Sequence, residues 1–144
     1  MSVNEHKADA PNSIALGIIT VSTSRSLAED VSGHWIKETA IKEGHEIKFH
    51  KVITDDKEKI EKTLLDGLHN TVQAILITGG TGISDKDVTI EAVRPMFDKE
   101  LTAFGTLFSF LSFNEINSAA LLSRATAGII GKTMLFCMPG SLNA

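Results

Sequence analysis

The sequence predicts an α/β domain built on a parallel sheet with right-handed crossovers. Three observations carry this prediction. Continuous apolar runs of strand length occur at Ile14–Ser22 and Val72–Thr78, as strands buried on both faces require. Segments with apolar residues at helical spacing separate the strands. The order up to Thr78 is strand, helix, strand, helix, strand, a pattern that lays parallel strands side by side through crossover helices.

Each element has its own justification. Residues 1–12 are polar and aperiodic and are expected to form a disordered arm, with 13–144 as one domain. IALGIITVS is the first strand. SGHWIKETAIKEG places Trp35, Ile36, Ala40 and Ile41 at helical spacing, with Ser32 as the N-cap and Gly44 as the stop. HEIKFHKVI alternates apolar and polar residues, so it reads as a second strand nearer an edge. Asp55 or Asp56 opens a helix whose apolar face is Ile60, Leu64, Leu65 and Leu68; Glu58, three residues after Asp55, favours Asp55 as its cap. VQAILIT is the third strand. Thr89 is placed to cap a short helix through Val93, which Pro95 breaks or kinks. Leu101 to Phe113 holds Phe104, Leu107, Phe108, Leu111 and Phe113, which predicts an amphipathic helix packed on the core, with an oligomer interface as the alternative. EINSAALLSR reads as a further short helix. In ATAGIIGKTMLFCMPG, Gly131-Lys132 suits a two-residue hairpin turn between two short strands. PGSLNA has the character of a loop that leads into another element.

Composition excludes several classes. A formal charge of -4, with no Lys/Arg cluster, argues against nonspecific nucleic-acid binding. There is no N-terminal signal pattern and no apolar run of about 18 residues, so a membrane role is not expected and the cytoplasm is. The single cysteine, Cys137, lies in TMLFCMP and reads as a small buried hydrophobe. His6, His34, His45, His50 and His69 lack metal-ligand spacing, so no zinc site is expected.

The stretch Ile75–Ala92, ILITGGTGISDKDVTIEA, carries the chemistry. Thr78-Gly79-Gly80-Thr81-Gly82 begins where a buried strand ends, at the edge where open α/β sheets bind ligands. Glycines permit positive φ and close approach of backbone N–H groups to an anion. The string matches neither a dinucleotide fingerprint nor a Walker A loop. Asp85 and Asp87 follow at once, although unit charges about 4 Å apart repel by roughly 4 kcal/mol at an effective dielectric of 20. A phosphate beside such a carboxylate calls for a bridging cation, and Mg²⁺ takes one or two carboxylates together with phosphate oxygens. Asp87 is the stronger candidate, and Asp85 reads as a turn residue. Ser22-Thr23-Ser24-Arg25, Asp30 to Gly33, Asp55-Asp56 and Pro139-Gly140-Ser141 fall at the same predicted edge.

Taken together, TVSTSR, the D-x-S-G of Asp30 to Gly33, GHE, TGGTGISDKDVT, FDKE, Phe104-Gly105, LSRATAG and PGS resemble the MoaB/MogA family of molybdenum-cofactor biosynthesis proteins. The resemblance spans Ile14 to the end of the chain. It implies a three-layer α/β/α fold with a mostly parallel central sheet, assembled as homotrimers or hexamers. It also implies a molybdopterin adenylyltransferase that joins molybdopterin to ATP with Mg²⁺ and releases pyrophosphate, and contacts with other enzymes of that pathway. A noncatalytic molybdopterin-binding scaffold is the alternative function. By the same resemblance, Asp55 and Asp87 become the catalytic and metal-holding carboxylates. Ser22, Ser24, Gly79, Gly80, Thr81, Gly82, Ser123, Arg124, Pro139, Gly140 and Ser141 become substrate-binding residues. Family members continue past PGS through a further helix, so a helix covering the sheet is expected to be lacking here.

Overall fold

A computed structural model describes residues 2–141. Six strands form one mixed sheet: β1 Ala15–Val21, β2 Glu46–Ile53, β3 Ala74–Thr78, β4 Lys99–Glu100, β5 Thr126–Ile130 and β6 Thr133–Met138. Their spatial order is β2-β1-β3-β6-β5-β4. β1 pairs in parallel with β2 and β3, and β3 with β6. The β5/β6 hairpin, turned at Gly131-Lys132 as expected, adds two antiparallel ladders, the second of them to β4. The two-residue β4, within FDKE, is too short to leave a periodic signal in the sequence.

The described residues form five α-helices: α1 Val3–Ala8, α2 Val31–Lys42, α3 Lys57–Leu68, α4 Thr89–Val93 and α5 Thr102–Ile116. On one face Ile60 and Leu64 of α3 and Ala92 and Val93 of α4 close over Ile19, Val21, Ile75, Ile77, Leu135 and Cys137. Cys137 is fully buried, and burial pushes its thiol up to about 12, as an inert core residue requires. On the other face Ala40 of α2 packs on Leu16 and Ala74, and Phe104 of α5 meets the ring of Phe136 at 5.4 Å. The three-layer arrangement is therefore present. α2 leaves beside it an open apolar groove of about 510 Å³, lined by Leu16, Trp35, Ile36, Leu76, Phe136 and Met138.

Within residues 1–12, α1 carries a reciprocal capping box between Ser2 and Glu5. Several expectations are corrected. α2 is capped by Asp30, whose carboxylate accepts from Gly33 N at 3.0 Å, so Ser32 is free for another bond. α3 is capped by Asp56, extended at φ -139°, which accepts from Lys59 N at 2.9 Å; Asp55 is not the cap. α4 starts at Thr89 without a side-chain cap, and the chain passes at Pro95 into a 3-10 turn. EINSAALLSR is the end of α5 followed by a 3-10 turn at Asn117–Leu122.

The largest correction concerns α5, which does not pack on the core as an amphipathic helix. Its one buried residue is Ser112, while Leu107, Phe110, Leu111 and Phe113 are 53–64% exposed. A helix apolar around its whole circumference has too many greasy sides for one sheet contact.

Glycine permits the tightest packing in the sheet. A Cβ on Gly17 would overlap the ring of Phe49, which also fills the space a side chain on Gly67 would need. Gly17→Val is expected to destabilise the fold by about 2 kcal/mol through overpacking, lowering Tm by roughly 4–8 °C in a thermal melt. An unchanged Tm would show that Phe49 moves aside freely.

Candidate active site

Gly79 and Gly80 turn the chain at the carboxyl end of β3, with φ of +91° and +64°. A Cβ on Gly79 would overlap the Val21 carbonyl, and one on Gly80 would overlap the Thr89 hydroxyl. Glycine is required at both on conformation and on space. Thr89, fully buried at the start of α4, locks the turn. Its hydroxyl donates to Gly79 O at 2.8 Å and its N–H to Gly80 O at 3.0 Å. Gly79 N donates to Met138 O at 2.9 Å, tying the loop to the end of β6.

A cleft of about 360 Å³ opens over this turn. It gathers Ser22 and Ser24 from the loop after β1, Asp55 after β2, Gly79, Gly80 and Asp87 after β3, and Gly140 and Ser141 after β6. These come from four separate loops at one edge, the place where parallel sheets bind ligands. Asp56 caps α3 outside this set, which leaves Asp55 turned inward. Thr23 Oγ1 donates to Asp55 Oδ2 at 2.6 Å, and Asp55 Oδ1 faces Gly80.

Asp87 is held more tightly. Its Oδ2 accepts from the Ser84 hydroxyl at 2.7 Å and from Ser84 N at 2.9 Å. The Ser84 hydroxyl is the main cause that keeps its carboxyl below the ordinary aspartate range. Partial burial works against this, and the N–H groups of Ser84 and Gly82 and the charge of Arg124 add to it. Asp87 is thus an anion fixed in orientation. Asp85 is an exposed turn residue and does not line the cleft.

Five expected site residues stand elsewhere. Arg124 lies beneath the glycine loop, where Nε donates to Thr81 O at 3.2 Å and Gly82 O at 3.0 Å, and Nη2 to Asp87 O at 3.3 Å. Its remaining donors engage the Glu91 carboxylate, a pairing that raises the Arg124 pKa and lowers that of Glu91. Its guanidinium is spent on the scaffold, so it shapes the loop without facing the cleft. Ser123 sits with it on a separate pocket of about 270 Å³. Thr81 is buried, Gly82 packs against Asp87, and Pro139 lines the apolar groove.

The glycine amides also serve differently from a simple anion cradle, since Gly79 N is taken by Met138 O and Gly82 N is directed at Asp87. The positive charge comes from Arg25 and Lys86, both lining the cleft and both missed as site residues by sequence reasoning. Arg25 Nη1 lies 3.5 Å from Gly140 O. Their signal was present, because Arg25 ends the loop after the first strand and Lys86 is flanked by the two aspartates. Single cations are easily passed over when only clusters are sought.

The donor set suits a hard divalent cation shared with a substrate. Among the described residues no group of three or more His, Cys, Asp or Glu side chains is placed to hold a metal ion. Asp55 and Asp87 supply oxygen donors only, and two carboxylates fit Mg²⁺ when phosphate oxygens and waters complete its shell.

Residues 17–144 match the family described as "Probable molybdopterin binding domain". The chain belongs to this family. Molybdenum cofactor biosynthesis protein B of Bacillus cereus is 44% identical over 146 residues, covering 100% of this chain and 86% of that protein. Molybdopterin adenylyltransferase of Pyrococcus furiosus is 41% identical over 150 residues, covering 100% and 88%. A crystal structure of molybdenum cofactor biosynthesis protein B superposes with a TM-score of 0.87 at 43% identity, over 92% of this chain and 84% of that one. The six-stranded α/β architecture is thus that of the molybdopterin-binding family. No helix among the described residues is long and apolar enough to cross a membrane.

Two outcomes test the geometry of this molybdopterin-family cleft. Thr89→Val leaves the Gly79 carbonyl without its hydroxyl donor and is expected to cost about 1–3 kcal/mol, measured by urea unfolding. For Asp87 the folded pKa is depressed, so its stabilising contribution is present above the unfolded value and lost as pH falls through the folded one. The stability difference between wild type and Asp87→Asn is therefore expected to hold from neutral pH to near 3.8 and to vanish below it. A difference that fades already at pH 6 would contradict this.

Proposed function

We propose that the cleft adenylylates molybdopterin. The observation that carries this is the convergence of two carboxylates, Asp55 and Asp87, with two cations, Arg25 and Lys86, over the Gly79-Gly80 turn. The relative named molybdopterin adenylyltransferase supports the choice of substrates. A terminal phosphate oxygen of molybdopterin attacks the α-phosphorus of ATP. The bond to the β-phosphate oxygen breaks, and pyrophosphate leaves with the bonding pair.

The chain's own groups align the reactants and balance charge, which is most of what such a transfer needs. Arg25 and Lys86 offset the negative charge of the polyphosphate. The glycine turn admits a phosphate close to the backbone, and the Ser22, Ser24 and Ser141 hydroxyls are placed to bond ligand oxygens. Ser84 and Thr23 fix the two carboxylates so that one oxygen of each is aimed. Asp55 and Asp87 would hold Mg²⁺, which neutralises charge on the reacting phosphates when bound.

We read the exposed apolar side of α5 as the contact of a homo-oligomer, a trimer or hexamer, in the cytoplasm.

The decisive measurement is pyrophosphate release from molybdopterin, ATP and Mg²⁺. Asp87→Ala and Asp55→Ala are each expected to lower kcat by about a hundredfold or more, and chelation of Mg²⁺ to stop release reversibly. Lys86→Ala and Arg25→Ala are expected to raise KM for ATP by about tenfold with a smaller effect on kcat. Pterin binding without any release would point to the noncatalytic scaffold. A charge placed in the exposed stripe, Phe110→Glu, is expected to yield monomers in sedimentation velocity; an unchanged assembly would move the interface elsewhere.

A further inference from the structure

Behind the cleft, and outside the residues assigned above, lies a buried carboxylate with three donors. Asp30 has no exposed surface. Its Oδ2 accepts from Thr20 Oγ1 at 2.6 Å and from His50 Nε2 at 2.7 Å, and its Oδ1 from Gly33 N at 3.0 Å. The His50 side chain is 6% exposed on edge strand β2, with the His34 ring edge-on at 5.3 Å. A Cβ on Gly33 would overlap both the Asp30 carboxylate and the His50 ring, so only glycine lets the pair close over the start of α2. One residue back in that first turn, Ser32 Oγ donates to Gly140 O at 2.8 Å. Gly140 in turn packs on Gly79, where a Cβ would meet Gly79 Cα at 3.1 Å.

We infer that His50 and Asp30 are positioning residues that set the Gly140–Ser141 wall of the cleft, acting through Ser32. A buried carboxylate held by hydrogen bonds is weak ground for stability, because desolvation offsets its attractions. What it supplies here is orientation. The pair fixes the first turn of α2, that turn aims Ser32, and Ser32 holds the carbonyl of Gly140 against the glycine turn. The D-x-S-G string thereby gains a physical reading: carboxylate anchor, hydroxyl strut, and clearance for the histidine.

The inference rests on the adenylylation reading for its kinetic arm only. In the ligand-free protein, His50→Phe is expected to move the backbone amide resonances of Gly140 and Ser141, while His50→Gln, which retains an Nε2–H donor, moves them less. In pyrophosphate release, His50→Phe and Ser32→Ala are each expected to lower kcat by about ten- to a hundredfold with KM changed by less than about threefold. The double variant is expected to be no worse than the poorer single one, because both cut the same linkage. Losses that multiply, or Ser32→Ala at full kcat, would overturn the proposal, and the latter decides it even where His50→Phe does not fold. Static Gly140 and Ser141 resonances in His50→Phe would overturn it as well. If the wild type releases no pyrophosphate, the adenylylation reading fails, and the amide resonances still decide the positioning pair.

Discussion

Everything at the functional edge depends on how Thr89 grips the glycine turn. Two left-handed residues in succession have little of their own to hold them, since glycine loses more backbone freedom on folding than any other residue. Thr89 supplies both a hydroxyl to Gly79 O and an amide to Gly80 O from the first turn of α4. Met138 O takes the Gly79 amide from the opposite side. The turn is therefore pinned between a helix and a strand end, and the loops after β1, β2 and β6 take their places around it. Arg124 extends the same logic below the loop, spending its donors on the Thr81, Gly82 and Asp87 carbonyls. Had Arg124 faced the cleft, the segment carrying Asp87 would lack that support.

Once the backbone is fixed, charge decides what the cleft accepts. Two carboxylates and two cations leave it close to neutral, so a polyphosphate is neither captured by a basic patch nor repelled outright. Under the proposed adenylylation, such a site discriminates through geometry and through the Mg²⁺ brought with the substrate. That balance agrees with a chain whose net charge is -4 and which has no basic cluster.

The parallel part of the fold was legible because buried strands announce themselves as unbroken apolar runs, and β1 and β3 fall inside the runs that predicted them. The hairpin was legible from Gly131-Lys132. The caps were not, because Asp-Asp and Asp-x-Ser offer equivalent oxygens at neighbouring positions, and only tertiary contacts choose among them. Thr23 draws Asp55 inward and leaves Asp56 to cap α3; Thr20 and His50 draw Asp30 into the cap and leave Ser32 to Gly140. α5 misled for a different reason. Apolar composition reports that surface will be covered, without saying whether the cover belongs to the same chain. For Ser123 and Arg124, the resemblance marks them as part of the site, and the structure places them on the far side of the loop that forms it.

Four aspartates show how one residue type is sorted into different tasks by the lone pairs left to it. Asp30 has three protein donors in full burial and nothing left for a ligand, so it can serve only as an anchor. Asp56 gives an oxygen to a helix end on the surface. Asp87 has Oδ2 saturated by Ser84, which orients the group and keeps it ionised, and Asp55 has Oδ2 taken by Thr23 with Oδ1 turned toward Gly80. A carboxylate that is to share a cation with a substrate must be fixed by one oxygen and free by another. Half-satisfied carboxylates facing a common cleft are the feature that separates Asp55 and Asp87 from their neighbours. That distinction exists only after folding, because it lies in the partners and not in the residue type.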